Sequence, residues 1–225
     1  MNKIAFLFPG QGAQYVGMGK EFYENFDIAK QTFEEANNWL GYDIAKICFE
    51  GPEEDLMLTE NTQPAILTTS IAILRVLKQE GLTCDYTAGL SLGEYCALIN
   101  AESLEFSEAV KLVQNRGVYM QKSVPKGQGK MGAIVGLSSD YLKEVIDFAK
   151  KEGIIEVANY NTHEQIVISG EKNAVKKALK KAKELGARKA LPLLVSAPFH
   201  CSMLEPAGEL LKKDLDKISF NKLKI

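Results

Sequence analysis

A glycine-flanked serine does most to constrain the fold of this chain. Residues Gly89-Leu90-Ser91-Leu92-Gly93 form a G-x-S-x-G motif between an apolar approach and a helical run. This pattern is typical of a nucleophile elbow, a sharp strand-to-helix turn with a serine at its tip. A β-carbon at either glycine would crowd such a turn, and helix N–H groups beside the serine stabilise negative charge. The motif predicts an acyl-transfer enzyme with Ser91 as nucleophile; the alternative is a Gly/Ser loop that leads into a helix.

Composition narrows the class of protein. The 225 residues suffice for one substantial core or for one large and one small domain, and 46% hydrophobic and 25% charged residues are ordinary for a globular protein. A net charge of −2 gives no reason to expect nucleic-acid binding. No apolar run approaches the roughly 20 residues that span a bilayer, residues 1–8 are too short for a signal peptide, and the four cysteines lack metal-ligand spacing. We expect a reduced, cytoplasmic monomer with no cofactor, metal, nucleic-acid or membrane partner.

Hydrophobic periodicity predicts an α/β main domain with a parallel sheet. Short β-type runs at residues 3–8 and 85–89 predict buried strands, the second entering the elbow. Helices are predicted at about residues 19–39, 44–49, 62–79, 91–100 and 106–123.

The order of predicted strands and helices changes after the turn-rich segment Pro125-Lys126-Gly127-Gln128-Gly129. Strands are predicted at residues 131–136, 154–159, 165–169 and 187–193, and helices at 139–151 and 171–185. This β-α-β-β-α-β order is that of ferredoxin-like folds. We therefore predict a serine-hydrolase-like main domain at residues 1–129 and 194–225, and an inserted ferredoxin-like α+β subdomain at residues 130–193.

A serine nucleophile needs a base, and histidine is the natural one near neutral pH. His163 lies in a polar turn and is expected to be solvated. His200 follows Ser196-Ala197-Pro198-Phe199, where the chain returns to the main domain, and loops at such crossings often line clefts. We favour His200 as the base; the alternative is a histidine at a helix start with no catalytic role.

Arg116 lies on an apolar stripe. Ala109, Val113, Arg116 and Met120 follow 4-3-4 spacing and so share one helix face. A buried arginine needs an anionic partner, since an unpaired buried charge costs several kcal/mol. The spacing leaves two possibilities open: an internal salt bridge, or a guanidinium that binds a substrate carboxylate through two hydrogen bonds.

The loop Gly10-Gln11-Gly12 fits neither of two phosphate-binding patterns. A dinucleotide loop would need glycine at Tyr15, and a P-loop would need Ser or Thr at Glu21, after Gly19-Lys20. A third interpretation is a loop at a strand end that offers a backbone N–H to an oxyanion, together with the N–H of Leu92.

Seven segments, in order along nearly the whole chain, resemble the malonyl-CoA:acyl-carrier-protein transacylases of fatty acid synthesis. They are Phe8-Pro9-Gly10-Gln11-Gly12-Ala13-Gln14, Thr62-Gln63-Pro64-Ala65, Gly89-Leu90-Ser91-Leu92-Gly93-Glu94-Tyr95, Gln114-Asn115-Arg116-Gly117, Ala158-Asn159-Tyr160-Asn161, Ile166-Val167-Ile168-Ser169-Gly170 and Ser196-Ala197-Pro198-Phe199-His200. Leu90 stands where many members have histidine. Members commonly continue for several tens of residues beyond the position of Ile225, and that region supplies a carbonyl that orients the histidine.

The resemblance implies a ping-pong reaction with malonyl-CoA and acyl carrier protein as partners. Ser91 becomes malonylated, His200 acts as base and then as acid for the leaving thiol, and the N–H groups of Gln11 and Leu92 form the oxyanion hole. Arg116 holds the malonate carboxylate. The implied substrate-binding set is Arg116, Met120, Phe199 and Asn159, with Phe199 resembling the bulky residue that disfavours an α-methyl group.

Three other functions remain open at this point. A serine esterase would use the same elbow but would need an acid partner for His200 and would have no use for Arg116. A polyketide-pathway acyltransferase would share the whole motif series. A non-enzymatic carrier-protein binder would use the lysine-rich helix, which is otherwise a solvated face, with Lys176, Lys177, Lys180, Lys181 and Lys183.

Overall fold

The computed structural model describes residues 3–125, 127–193, 195 and 197–225. Lys126 of the predicted turn segment, Leu194 at the predicted domain boundary and Ser196 of the last motif lie outside the described residues. The chain forms two compact units: unit 1 comprises Met1–Val118 and Leu211–Ile225, and unit 2 comprises Tyr119–Leu210. Within the described part of the chain, every helix is too short or too polar to cross a membrane.

Unit 1 is a mixed α/β structure with a small parallel sheet. Strands β1 (Ala5–Phe8) and β2 (Tyr86–Gly89) pair in parallel, with Phe8 opposite Gly89. Around them the chain forms helices α1 (Lys20–Asn25), α2 (Asp27–Leu40), α3 (Ile44–Glu50), α4 (Glu53–Leu56), α5 (Thr59–Gln79), α6 (Gly93–Asn100) and α7 (Phe106–Ser123), the last of which continues into unit 2. The α/β class with a parallel sheet, predicted from the sequence, is confirmed.

The helices of unit 1 pack around one core of buried side chains. Phe33, Leu67, Ile71 and Val113 are all fully buried in one cluster. The single helix predicted at residues 19–39 is wrong, because Phe26 adopts extended backbone (φ −133°, ψ 117°) and separates α1 from α2. The apolar spacing continues across this break, so periodicity alone could not reveal it. The short helix α4 was not predicted.

Unit 2 is built on a four-stranded antiparallel sheet. Its elements are β3 (Gly129–Val135), α8 (Ser139–Ala149), β4 (Ile155–Tyr160), β5 (Gln165–Glu171), α9 (Lys172–Glu184), β6 (Lys189–Pro192) and α10 (Glu205–Leu215), with 3-10 turns at Lys150–Glu152 and Ser202–Leu204. The strand order is β4-β5-β3-β6. The element order β-α-β-β-α-β is the one that the sequence pattern indicates. Helix α10, which no sequence argument predicted, continues into unit 1.

The two faces of this sheet bury different sets of side chains. Ile166 and Ile168 of β5 face the cluster formed with α8 and α9, whereas Val167 between them faces a second cluster. This alternation follows from the two-residue period of a strand. The second cluster is closed by Ala197 and Phe199, so the segment before His200 packs against the sheet face opposite the helices.

Candidate active site

Ser91 stands in a strained turn between β2 and α6. Its φ of 54° lies in the left-handed region, which a non-glycine residue rarely adopts. The turn is closed by backbone hydrogen bonds from Gly93 N to Leu90 O (2.9 Å) and from Glu94 N to Ser91 O (3.2 Å). The serine hydroxyl therefore lies at the amino end of a helix, where the first N–H groups have no partner within the helix.

Both glycines of the motif are required by close approach of main chain. A β-carbon on Gly89 would lie 1.9 Å from the carbonyl carbon of Gly93, and one on Gly93 would lie 2.2 Å from the carbonyl oxygen of Phe8. Neither neighbour is a side chain that can rotate away. The strand, the turn and the helix thus pack on one another through bare backbone, which fixes the position of Ser91.

Arg116 reaches this serine from α7. The residue is buried, with 8% of its surface exposed. Its Nη2 donates to Ser91 Oγ at 3.0 Å, and its Nη1 donates to the side-chain oxygen of Gln63 at 2.7 Å. The guanidinium carbon also lies 5.8 Å from the centre of the Tyr95 ring.

The electrostatic setting of Arg116 bears on the choice between a salt bridge and a substrate contact. Among the residues that the structure describes, no carboxylate lies within ion-pair distance of its guanidinium, and the two acceptors described above are a neutral amide oxygen and a hydroxyl. Burial lowers the pKa of Arg116 from its usual value, while interactions with Tyr95 and with the Glu94 carboxylate oppose that shift. The guanidinium is therefore oriented by Gln63 but keeps its charge available for an anion.

Gln63 is the site residue whose role the sequence did not reveal. It is 1% exposed, on the second turn of α5, one residue before Pro64. The motif Thr62-Gln63-Pro64-Ala65 marked the position, but no pattern in the chain indicates which distant side chain Gln63 meets. The same helix contacts the predicted oxyanion loop, since Gln11 Nε2 donates to Thr59 Oγ1 at 3.3 Å. The first turns of α5 thus contact both Gln11 and Arg116.

Leu92, the second predicted oxyanion residue, precedes the first residue of α6 and has a fully buried side chain. Its main chain is held by that burial in the turn that carries Ser91. The structure therefore brings Ser91, Leu92 and Arg116 together in unit 1 and anchors Gln11 to α5 in the same unit.

His200 also stands in a strained turn, within unit 2. Its φ is 59°, and its side chain is exposed although Pro198 and Phe199 before it are buried. In the described part of the chain, the non-glycine residues with positive φ are Ser91, Glu102 and His200. Two of these three are the predicted nucleophile and base, and strain of this kind clusters at functional sites. His163, by contrast, is exposed in the turn between β4 and β5.

The remaining predicted substrate residues all lie in unit 2. Phe199 is 7% exposed and belongs to the second cluster, against which Met120 also packs. Asn159 lies on β4 opposite Val167, just after an irregularity in the strand pairing. Phe199 and Met120 therefore share one apolar cluster, and Asn159 lies on β4, beside the strand β5 that contributes Val167 to that cluster.

Comparison with known proteins identifies the family. Residues 5–225 match the acyl transferase domain family. The malonyl CoA-acyl carrier protein transacylase of Bacillus subtilis (strain 168) is 51% identical over 217 residues, which cover 96% of this chain and 68% of that protein. The chain belongs to the malonyl-CoA:acyl-carrier-protein transacylase family. The resemblance drawn from the sequence is thereby confirmed, and the chain is an acyltransferase by family.

Solved structures of the family agree with this assignment. The malonyl CoA-acyl carrier protein transacylase of Clostridium perfringens superposes with a TM-score of 0.93 at 50% identity, covering 99% of this chain and 70% of that one. A malonyl-transacylase in complex with its type II polyketide synthase acyl-carrier protein superposes with a TM-score of 0.96 at 41% identity, covering 100% and 73%. The chain therefore spans about seven tenths of the length of these relatives. Within the described residues, no group of His, Cys, Asp and Glu side chains is arranged to hold a metal ion.

Proposed function

We propose that this chain transfers a malonyl group from malonyl-CoA to the phosphopantetheine thiol of acyl carrier protein, in fatty acid biosynthesis, through a malonyl ester on Ser91. The observation that carries this proposal is the 3.0 Å hydrogen bond between Arg116 Nη2 and Ser91 Oγ. A short acyl group on that oxygen has its distal end within reach of the guanidinium. Malonyl is one of few common acyl groups with a carboxylate at that end, and a guanidinium can hold a carboxylate through two parallel hydrogen bonds.

The chemistry proceeds in two half-reactions. His200 removes the proton of the Ser91 hydroxyl as the oxygen attacks the thioester carbonyl, and the N–H groups of Gln11 and Leu92 stabilise the oxyanion. The C–S bond then breaks, and the proton passes from His200 to the thiolate of CoA. In the second half-reaction His200 deprotonates the carrier-protein thiol, which attacks the malonyl ester. The C–O bond to Ser91 then breaks, and His200 returns the proton to the Ser91 oxygen.

We also propose a role for the turn at Ser91, a division of the chain into domains, and an oligomeric state. The turn at Ser91 acts as a nucleophile elbow, supported by its left-handed φ and its packed glycines. Residues 130–193 form an inserted ferredoxin-like subdomain, supported by the strand order β4-β5-β3-β6, and residues 1–129 with 194–225 form the main domain. A cytoplasmic monomer is proposed as well; the four free cysteines agree with a reducing compartment.

Phe199, Met120 and Asn159 complete the proposed substrate site. The packing of Phe199 in an apolar cluster leaves its ring little freedom to move. A rigid ring beside the base disfavours an α-methyl group on the acyl chain, so methylmalonyl-CoA should turn over more slowly than malonyl-CoA. Equal turnover of the two thioesters would contradict this role of Phe199.

The proposal is tested by mass spectrometry of the protein mixed with malonyl-CoA, with and without acyl carrier protein. We expect a malonyl adduct on Ser91 that disappears when carrier protein is added, and no adduct in Ser91→Ala. Arg116→Ala should lose malonyl transfer and gain relative activity with acetyl-CoA. Rapid hydrolysis without transfer would favour a serine esterase instead. Carrier-protein binding that Ser91→Ala leaves unchanged, with no malonyl adduct or transfer by the wild type, would leave only a carrier-binding role.

A further inference from the structure

We propose that Glu156 is a positioning residue that fixes the turn carrying His200. This inference rests on the proposed role of His200 as general base, but the structural observation behind it lies wholly within unit 2. A φ of 59° is unfavourable for a non-glycine residue, so it persists only where contacts with the surrounding structure hold the backbone in place. The contacts that hold this turn therefore decide where the imidazole points.

Glu156 binds the chain two residues after the histidine. It lies on β4 opposite Ser169 of β5, so its backbone is part of the sheet. Its Oε2 accepts the backbone N–H of Ser202 at 3.0 Å, and its Oε1 accepts the Ser202 hydroxyl at 2.5 Å. Each carboxylate oxygen takes one donor, so a single side chain fixes both the main chain and the side chain of Ser202.

The residues before the histidine are held by different contacts. Pro198 packs so closely on Gly129 that a β-carbon there would lie 2.2 Å from the Pro198 ring. Phe199 N donates to Ala197 O at 3.1 Å, and both residues are buried in the second cluster. His200 is therefore exposed between two fixed points: apolar packing on its amino side and the Glu156 carboxylate on its carboxyl side.

The chemistry of the two hydrogen bonds between Glu156 and Ser202 indicates which substitutions preserve them. A carboxylate can accept two hydrogen bonds from two donors at once. In Glu156→Gln the amide oxygen can still accept the Ser202 N–H, and the Ser202 hydroxyl can rotate to accept from the amide nitrogen. Glu156→Ala loses both contacts and so removes the carboxylate that holds Ser202 on the carboxyl side of the turn.

The experiment measures single-turnover acylation of Ser91 by malonyl-CoA, from pH 5 to pH 9, for the wild type and five variants. Glu156→Ala should acylate about 10–100-fold more slowly, because misplacement of a catalytic group by about 1 Å costs rate on this scale. The malonyl-CoA concentration at half-maximal rate should stay within about two-fold, because Arg116 is untouched. Glu156→Gln should restore most of the rate, and the amide of Ser202 should exchange faster only in the alanine variant.

Two further variants control for stability. Glu164→Ala removes another carboxylate of unit 2, one that pairs with Arg188 at 2.7 Å, and should acylate at the wild-type rate. Ser202→Ala removes one of the two contacts and should slow acylation by about three-fold, less than Glu156→Ala, because the hydrogen bond from the Ser202 N–H to the carboxylate remains. It keeps the test decisive if Glu156→Ala does not fold.

The inference fails if folded Glu156→Ala acylates at the wild-type rate, or if the glutamine variant is as slow as the alanine variant. If Glu156→Ala does not fold, an unchanged rate in Ser202→Ala overturns it. His200→Ala separates this failure from failure of the proposed function. If His200→Ala abolishes acylation while the Glu156 variants do not slow it, only the positioning role is wrong; if His200→Ala acylates normally, the proposed mechanism itself is wrong.

Discussion

Two turns in this protein carry a reactive side chain on a left-handed residue, and they are held in different ways. Around Ser91 (φ 54°) the contacts are between main chains, at Gly89 and Gly93. Around His200 (φ 59°) they come from side chains, chiefly Glu156 and Pro198. Each strained residue costs about 1–3 kcal/mol, so each turn needs compensating contacts. The comparison shows two ways to hold a strained turn. Glycines let main chains pack directly on one another, or side chains from neighbouring elements bind the turn.

The largest effect is expected where the neighbour is main chain. In Gly89→Ala the new β-carbon would lie 1.9 Å from the Gly93 backbone, so the strand and helix must separate. We expect a loss of more than about 3 kcal/mol in unfolding free energy, above the usual range for overpacking. Urea unfolding measures this loss.

Gly208→Ala is the matched control for that substitution. Gly208 lies in α10 and is exposed, and a β-carbon there would point into open space, more than 4 Å from its neighbours outside the helix. Alanine there should stabilise by up to about 1 kcal/mol through helix propensity. A Gly89→Ala protein as stable as Gly208→Ala would show that the Ser91 turn is not held by backbone contact.

The Arg116 side chain also contacts the Ser91 turn, and Gln63→Glu tests what that contact requires. The substitution keeps the shape of the acceptor 2.7 Å from Arg116 Nη1 but adds a negative charge. We expect acylation by malonyl-CoA to fall about 10–100-fold, equivalent to about 1.4–2.7 kcal/mol, because the guanidinium would already be paired. Acylation by acetyl-CoA should change little.

Gln79→Glu makes the same chemical change on the same helix, at its exposed last residue, and should leave both rates unaltered. Stopped-flow measurement with the two thioesters compares the variants. An equal loss with malonyl-CoA and acetyl-CoA in Gln63→Glu would mean that the substitution disturbs the turn rather than the charge.

The contrast between the turns also explains what the sequence could predict. Gly89, Ser91 and Gly93 lie within five residues, so the backbone packing appears as a local motif. The contact between Glu156 and Ser202 joins residues 46 positions apart, and no local pattern marks a glutamate on a strand as different from any other. Gln63 and Arg116 are 53 positions apart, and spacing predicted only that the arginine is buried.

The secondary structure also contains elements that local sequence patterns predict and elements that they do not. The order β-α-β-β-α-β of unit 2 follows from periodicity and turn residues, which are local. The break at Phe26 does not, because the apolar spacing runs through it although Phe26 itself is extended. Helix α10 is not among the predicted elements, and Ala207 is the residue that it buries.

A smaller effect is expected on the amino side of His200, where the neighbour is a side chain. In Gly129→Ala the β-carbon would lie 2.2 Å from the Pro198 ring, which is a side chain and not main chain. We expect a loss of about 1–2 kcal/mol, less than in Gly89→Ala, together with slower acylation. Thermal unfolding and single-turnover rates measure the two effects. A loss as large as that of Gly89→Ala would remove the distinction between the two turns.

The smallest effect is expected at Cys201, whose thiol donates to the carbonyl oxygen of Pro198 at 3.2 Å. Burial raises the pKa of this thiol, so it stays protonated and able to donate at neutral pH. Cys201→Ala removes a weak hydrogen bond next to His200 and should cost about 0.5 kcal/mol. Cys201→Ser, which restores a stronger donor, should recover that loss. If the His200 turn is held mainly by Glu156, both variants acylate Ser91 at nearly the wild-type rate; a ten-fold loss in the alanine variant, repaired by serine, would instead place the main anchor at Cys201.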